Sequence, residues 1–598
     1  MNHSDKKLPL KGGEFIVRSV EPTEIFIPEE WNEEQRLMSS SCDEFMEQEV
    51  LPFLERIDTM EEGLMPSILE KAGELGMLGI TIPTEFGGLG LDFKTSLLAT
   101  EHLGKGYSFS VSYGAQTGIG TLPILYYGNE EQKKKYLPKL VSGEWKAAYC
   151  LTEPDSGSDA NAAKTKATLT PDGAHYLLNG QKMWITNAGF ADLFTVFAKI
   201  DDDKNLTAFL VEAKAPGISM NPEEKKMGIK GSSTRQVFFN DVLVPVEQML
   251  SERENGFKIA LNILNIGRIK LAAGVLGGAK ALITEMVQYA NGRQQFGRPI
   301  SKYGAIRHKI AESAIRTFVV ESALYRAGQN IDDAIIALEE SGISKSKAML
   351  KGIEEFAAEC ALLKVAGSEC LNYVVDEAVQ IHGGMGYSSE SLVERAYRDA
   401  RINRIFEGTN EINRLLTVDM VLRKALKGEL DLMGPAMKVA SELMSIPDFK
   451  DIPSTPLEAE TNYLEGFKKT LLLVAGSAVQ KLMQSIAKEQ EVLMGIADMA
   501  SWIYQAESAV LRVKKMCMSD GGVESSATEL AIVQTYCYEA GDAIAKIARD
   551  TVNAFAEGDE QRMMLMGIKR FTKVNPVNTK ALRQKIALAS IEKNRYSM

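Results

Sequence analysis

Arg404-Ile405-Phe406-Glu407-Gly408-Thr409-Asn410-Glu411-Ile412-Asn413-Arg414 is the stretch on which the reading of this chain turns. One carboxylate, Glu407, follows an apolar pair and precedes a glycine. Thr409 and Asn410 are good helix starters, and Ile412, Leu415 and Leu416 recur at helical spacing. Glu407 is therefore expected on a short loop between two helices. Flanking Ile405 and Phe406 predict partial desolvation, which raises a carboxyl pKa and makes a better base. The plain alternative is a loop glutamate with no special role.

Upstream of this loop, Leu371, Val374, Val375 and Ala378 fall at i, i+3, i+4 and i+7, one apolar helical face. Gly383-Gly384 is expected to end that helix. The pattern is helical from Gly256 onward. From Tyr149 to about Leu250 it is not. Thr165 to Leu169 and Tyr176 to Leu178 flank Pro171-Asp172-Gly173, a turn between strands. Phe194 to Ile200 and Thr207 to Val211 are short β-rich runs, and Val237-Phe238-Phe239 and Val242-Leu243-Val244 follow as two more. From Trp31 to about Lys139 the pattern is helical again, starting at Asn32-Glu33-Glu34-Gln35. Residues 83–90 are glycine-rich but have neither the Walker spacing nor the G-x-G-x-x-G fingerprint, and read as a structural turn. Beyond about 430, Pro447, Pro453 and Pro456 mark an acidic linker-like piece. Phe467, Leu471, Val474 and Ala475 then give an amphipathic helix.

A chain of 598 residues should hold about three or four domains. With 45% hydrophobic and 25% charged residues and a mean hydropathy of -0.12, it has the composition of a soluble globular protein. A net charge of -12 argues against nucleic acid as a main partner. None of the six cysteines forms a C-x-x-C pair, and the expectation is reduced, buried thiols. The five histidines show no metal-site spacing, so no metal is expected. Lys6 and Lys7 are not followed by an apolar core of signal-peptide length, no unbroken apolar run suggests a membrane-spanning helix, and the default expectation is a cytoplasmic protein.

Five motifs stand in order along the chain: residues 149–159 (Tyr149-Cys150-Leu151-Thr152-Glu153-Pro154-Asp155-Ser156-Gly157-Ser158-Asp159), Trp184-Ile185-Thr186-Asn187, Arg293-Gln294-Gln295-Phe296-Gly297, Gln380-Ile381-His382-Gly383-Gly384-Met385-Gly386, and Phe406 to Asn410. Together they resemble the acyl-CoA dehydrogenase family over about residues 30 to 425. The length and the C-terminal extension look most like its very-long-chain members. The resemblance implies a mainly α fold with an inserted β domain. An N-terminal arm would span 1–30, an N-terminal helical domain 31–147, a middle β-barrel-like domain 148–250, a four-helix bundle 251–428 and a helical extension 429–598.

By the same resemblance, Glu407 removes a proton from the carbon next to a thioester, and FAD accepts a hydride from the β-carbon, giving a trans-2-enoyl-CoA. Thr152 and Thr186 would lie beside the isoalloxazine ring and Trp184 against it, with Tyr149, Cys150, Leu151, Gly157, Ser158 and Ile185 in the same cofactor-binding motifs. Ser158 would also approach the CoA pantetheine and phosphates. Asn265 and Arg268 match the place where relatives grip the CoA end, although medium-chain members carry aspartate where Asn265 stands. Arg293, with Phe296, would meet the FAD pyrophosphate, an anion suited to a guanidinium fork. Gln380, Ile381, Gly383 and Gly384 would line the other end of FAD. Both of these last motifs come from the neighbouring subunit in the family, which implies at least a homodimer. Thr409, Asn410 and Glu411 complete the expected cofactor set, and Gly408 is expected at the substrate. Ser110 and Gly114 align with positions that close the far end of the acyl tunnel, where small side chains leave room for a long chain. Gly304 stands where many members have glutamine and very-long-chain members have glycine.

The resulting expectation is an FAD-dependent acyl-CoA dehydrogenase of fatty acid β-oxidation acting on long, straight chains and passing electrons to an electron-transfer flavoprotein. The alternatives are an acyl-CoA oxidase on the same fold and a scaffold protein retaining it. An amphipathic helix of the extension lying on a membrane is a further possibility, set against a core-facing helix.

Overall fold

Asn32 starts the first long helix, α1 (Glu33–Phe45), as its sequence predicts. In the computed structural model, which describes residues 9–443, 457–519 and 522–598, the Asn32 side chain accepts the Gln35 N–H at 2.8 Å and the Gln35 side chain accepts the Asn32 N–H at 3.2 Å. Lys6, Lys7 and the expected linker prolines Pro447, Pro453 and Pro456 lie outside the described residues. Helix α2 (Phe93–Leu103) begins the same way, with Asp92 accepting the Thr95 N–H at 2.7 Å. Helix α3 (Ser108–Gly114) runs on into a π-helical turn, Ala115–Gly120.

Eight strands follow: β1 (Ala147–Cys150), β2 (Lys166–Leu169), β3 (His175–Thr186), β4 (Leu193–Ile200), β5 (Thr207–Glu212), β6 (Ile218–Met220), β7 (Thr234–Pro245) and β8 (Met249–Leu250). Their order is β6-β7-β3-β2-β4-β5-β8, with β1 added parallel to β4. The Pro171-Asp172-Gly173 turn joins β2 to β3 in an antiparallel pair. One expectation is corrected here. Val237–Phe239 and Val242–Val244 are not two strands but halves of β7, joined through a bulge in which Asn240 and Asp241 oppose the single residue Asn179. Asp241 sits there at φ 53°.

Four long helices come next: α4 (Gly256–Gly292), α5 (Gly304–Glu340), α6 (Ala357–His382) and α7 (Asn410–Leu426). Leu371, Val374, Val375 and Ala378 are buried on one face of α6. Gly383 ends α6, as the sequence predicts, at φ 60°, ψ -138°, a conformation open to glycine.

The extension contributes α8 (Glu458–Leu482), α9 (Gln490–Met516), α10 (Ala527–Phe555) and α11 (Thr579–Lys593), with shorter helices between. Phe467, Leu471 and Val474 are buried, so the predicted amphipathic face of α8 looks into the protein. Buried charge ties this layer to the rest. Arg512 of α9 holds Glu321 of α5 and Glu29 of the N-terminal arm, each at 2.7 Å. Arg326 of α5 meets Glu507 of α9 at 2.9 Å. By length and mean hydropathy alone two segments, Gly256–Gly292 and Glu458–Lys488, could cross a membrane; neither is an unbroken apolar run, and in the first the apolar window is 67% buried inside the protein.

Candidate active site

Glu407 occupies the loop between a 3₁₀ turn (Arg401–Arg404) and α7, and both it (φ 59°) and Gly408 (φ 80°) are left-handed. A glutamate there is strained, and such strain persists where the surroundings enforce it. The enforcement is visible. Asn413, fully buried, donates from one amide to the carbonyls of Glu407 (3.2 Å), Gly408 (2.8 Å) and Thr409 (3.1 Å). Lys364 of α6, also fully buried, donates to the Gly408 carbonyl and to Asn410 Oδ1, both at 2.8 Å. Asn410 also bonds Ser368 and Glu369, so its side chain holds the loop to α6. Thr409 caps α7 through the Ile412 N–H at 3.3 Å.

The Glu407 carboxylate lies against Gly267 of α4, where a Cβ would stand 2.7 Å from Oε2. Oε2 is buried and accepts no hydrogen bond. Burial raises the Glu407 carboxyl from 4.5 to about 7, against opposing pulls from Arg268 and then Lys364. Of the two flanking residues the sequence offered as the source of desolvation, only Phe406 is withdrawn from solvent, and it is half-buried. Ile405 is an exposed side chain, and the burial is supplied by the face of α4 that carries Gly267.

Tyr149 on β1 shares this neighbourhood. Its hydroxyl is buried without a partner, and the Glu407 charge, after burial, pushes its ionisation further up. Two buried polar atoms left unsatisfied in one place are what a site looks like when its complement is a bound molecule.

The loop after β1 is braced from behind by a buried ion pair. Glu153 accepts from Lys182 Nζ at 2.7 Å, from the Thr165 hydroxyl at 2.6 Å and from the Thr165 N–H at 3.0 Å. Thr152 meets β3 through its carbonyl, which accepts the Met183 N–H at 2.8 Å. Cys150 and Leu151 are buried, whereas Gly157 and Ser158 are exposed. Next along β3, a register break between Lys182 and Ile185 turns Trp184 outward at φ 60°. Trp184 is 52% exposed, which excludes the core tryptophan reading, while Ile185 is buried. Thr186 pairs in register with Thr234.

The structure corrects one placement. Asn265 and Arg268 are both buried rather than open to a CoA tail. Arg268 donates to Asn265 Oδ1 at 2.7 Å and to the Glu407 carbonyl at 3.4 Å. Arg268 Nε and Nη1 and Asn265 Oδ1 are thereby engaged beside the base loop. Arg293 and Phe296 lie on an exposed two-stranded hairpin after α4 whose tip, Phe296, is 94% exposed. Gln380, Gly383 and Gly384 are exposed at the end of α6, with Ile381 buried behind them. Glu411 is in the first turn of α7.

Partly accessible residues line up along α4 from the position that meets Glu407. Helix α4 is buried on most of its surface, yet Leu264, Gly267, Lys270, Leu271 and Gly274 are partly accessible. They fall at i, i+3, i+6, i+7 and i+10, one helical stripe. Helix α3 shows a matching stripe, Tyr107, Ser110, Val111 and Gly114. Nothing lies within 4 Å of a Cβ built on Gly114 or on buried Gly118. Ser110 turns its hydroxyl away to the Leu103 carbonyl at 2.6 Å. Gly267, Lys364 and Asn413 were not singled out in the sequence. Only the four residues between Gly408 and Asn413 gave any local hint of an amide that reaches back over the loop.

Four segments match family descriptions: residues 32–144 "Acyl-CoA dehydrogenase, N-terminal domain", 148–242 "Acyl-CoA dehydrogenase, middle domain", and 254–422 and 466–570 each "Acyl-CoA dehydrogenase, C-terminal domain". A "Probable acyl-CoA dehydrogenase" of Bacillus subtilis (strain 168) is 46% identical over 98% of both chains. The "Very long-chain specific acyl-CoA dehydrogenase, mitochondrial" of Rattus norvegicus is 36% identical over 84% of this chain and 77% of its own. The crystal structure of an acyl-CoA dehydrogenase complexed with FAD from Bacillus anthracis superposes with a TM-score of 0.96 at 46% identity, over 98% of this chain and 100% of that one.

Proposed function

The chain belongs to the acyl-CoA dehydrogenase family, and we propose that it oxidises long, straight-chain acyl-CoA thioesters between the α and β carbons, with Glu407 as the base. As a family member it is an FAD-dependent oxidoreductase. FAD fits what the residues offer: a half-exposed Trp184 turned out of β3, the unsatisfied Tyr149 hydroxyl, and the exposed glycines after α6 that let a cofactor approach backbone N–H groups. When bound, FAD supplies the hydride acceptor for the β-carbon, and the protein supplies aim and charge.

The observation that carries this reading is the Glu407 carboxylate, buried against Gly267 with Oε2 free and a pKa of about 7. A base poised near operating pH takes the α proton with the least mismatch. Its backbone N–H donates to no group among the described residues and is available to a thioester carbonyl, where enolate charge develops. Arg268 and Lys364 pull the carboxyl down and keep it from rising further. The clamp of Asn413 and Lys364 fixes the loop, so the carboxylate needs no rearrangement to act.

The long-chain preference rests on reading the partly accessible stripes of α3 and α4 as the walls of an acyl channel, with open space at Gly114 and Gly118 and the small Ser110 beside them. Electron transfer to an electron-transfer flavoprotein and a homodimer, in which the Arg293 hairpin and the Gln380–Gly384 segment of one subunit complete the cofactor site of the other, belong to the same proposal. The exposed Phe296 tip supports the second.

The test is turnover over acyl-CoAs of increasing length with an artificial electron acceptor, for the wild type and Glu407→Gln. The proposal expects activity rising toward long chains, lost in the variant while FAD stays bound. Near-normal turnover by the variant places the base elsewhere. Peroxide formed under air in place of electron-transfer flavoprotein reduction identifies an oxidase.

A further inference from the structure

The C-terminal extension reaches the base loop through one arginine. Arg414 follows Asn413 on α7, and its guanidinium is divided between two other helices. Nη1 and Nη2 donate to the two oxygens of Glu369 on α6, at 2.8 and 3.0 Å. Nε donates to Asp498 Oδ1 on α9 of the extension, at 2.7 Å. Glu369 Oε1 is shared, because it also accepts from the Asn410 amide at 3.2 Å. Asn410 in turn accepts from Lys364, which holds the Gly408 carbonyl. A continuous set of bonds, each with one charged member, therefore runs from α9 to the residue after Glu407. The Arg414 side chain is only 16% accessible, so these contacts outweigh those of a solvated surface pair. The other end of α7 is held too. Lys424 donates to Glu355 Oε1 at 2.8 Å and to the Gly12 carbonyl of the N-terminal arm at 3.3 Å, and that arm is bound to the extension through Glu29 and Arg512. By contrast, Arg326–Glu507 and Arg512–Glu321 join the extension to α5, away from the base loop.

We propose that Asp498 is a positioning residue supplied by the extension, which sets the place of Glu407 by steering Arg414. This rests on Glu407 as the base and adds the extension to the apparatus that aims it. A guanidinium presents its donors in a rigid planar fork. With the Nε edge on Asp498, the other edge meets Glu369 squarely and leaves Oε1 open to Asn410. Without Asp498 the guanidinium can swing about the Glu369 carboxylate, and the shared oxygen and the Asn410 amide move with it. Glu407 is strained at φ 59°, and a strained residue keeps its conformation only while its surroundings enforce it. Loosening at Asn410 therefore lets the loop relax and water reach the Glu407 carboxylate. Asp498 acts through Arg414 and not on the carboxylate directly.

The experiment measures kcat, KM and the pH midpoint of kcat/KM for a long-chain acyl-CoA with an artificial acceptor, on FAD-loaded wild type, Asp498→Ala and Glu539→Ala. In Asp498→Ala, kcat is expected to fall by about tenfold with KM little changed, the cost of a misplacement below 1 Å. Its midpoint is expected to drop by about one pH unit, because water at the carboxylate relieves the burial that raises it. Glu539→Ala removes the Arg583 tie inside the extension, and should lower the thermal transition with the midpoint in place. A midpoint unmoved in Asp498→Ala, or moved equally by Glu539→Ala, overturns the proposal. Should Asp498→Ala fail to fold, Arg414→Lys carries the test, since one ammonium cannot span both carboxylates as the fork does. The same drop in kcat and midpoint is expected there, and unchanged values overturn the proposal. A wild type with no midpoint near 7 sinks the base assignment and this proposal with it. A wild-type midpoint that Asp498→Ala leaves alone sinks this proposal only.

Discussion

Two glutamates, Glu153 behind the cofactor loop and Glu407 at the base loop, are both withdrawn from solvent, and the protein treats them in opposite ways. Glu153 is met by Lys182, Thr165 and the Lys164 N–H; burial would raise its carboxyl, but the Lys182 charge and these bonds outweigh it and hold it below its ordinary value. Glu407 faces a glycine, keeps one oxygen unbonded, and is raised to about 7. A satisfied carboxylate holds structure together. An unsatisfied one is held by structure for another purpose. The difference lies in what the neighbouring helices and strands place within reach.

The contrast is most exposed to failure at Glu407 itself. Glu407→Gln is expected to lower turnover by about 10² to 10⁴-fold, the range for a general base, with FAD absorbance retained, as read by steady-state assay. Next in size, Lys182→Met strands a buried Glu153 and should destabilise the protein by about 3–5 kcal/mol, read as an earlier thermal transition. The signs of the pH effects also oppose. Glu153 is depressed, so its contribution is present above the unfolded value and lost as pH falls through the folded one. Glu407 is raised, so its contribution is fully present below 4.5 and lost as pH rises through about 7. Glu407→Gln should therefore stabilise the cofactor-free protein at pH 8, by at most about 3 kcal/mol, with the gain vanishing near pH 4. A variant no more stable at pH 8 would break the contrast.

Smaller changes sharpen it. Gly267→Ala places a methyl group on the Glu407 carboxylate and should cost about 10²-fold in kcat, the scale of a misplacement near 1 Å; unchanged kcat would show that the carboxylate works from another position. Ser110→Gln fills the channel wall and should shift preference toward shorter chains by about tenfold, the value of a methylene or two in an apolar pocket. An unchanged length profile removes the pocket argument.

Much of this was legible in the sequence, because its signals are local. The Asn32 cap, the turn at Pro171-Asp172-Gly173, the apolar face of α6 and the placing of Glu407 between helices each depend on residues a few positions apart. What stayed hidden depends on contacts between distant segments. Gly267 meets Glu407 across 140 positions, and Lys364 reaches Gly408 across 44. Ile405 and Phe406 suggested the right pKa direction, but Ile405 faces outward and the packing of Gly267 on the carboxylate could not be read from the neighbouring residues. Arg268 looked like a surface grip for an anion because nothing adjacent shows that its helix turns it inward to Asn265. Val237–Val244 looked like two strands because a bulge interrupts the alternation without ending the ladder.

The most direct test of the central claim is the pH dependence of kcat/KM for a long-chain acyl-CoA with an artificial acceptor, which reports the ionisation of groups in the free enzyme. With Glu407 as a desolvated base, the rate should rise tenfold per pH unit at low pH and level off through a midpoint near 7. A profile already level at pH 5, or one that Glu407→Gln leaves unchanged in height and midpoint, would contradict it.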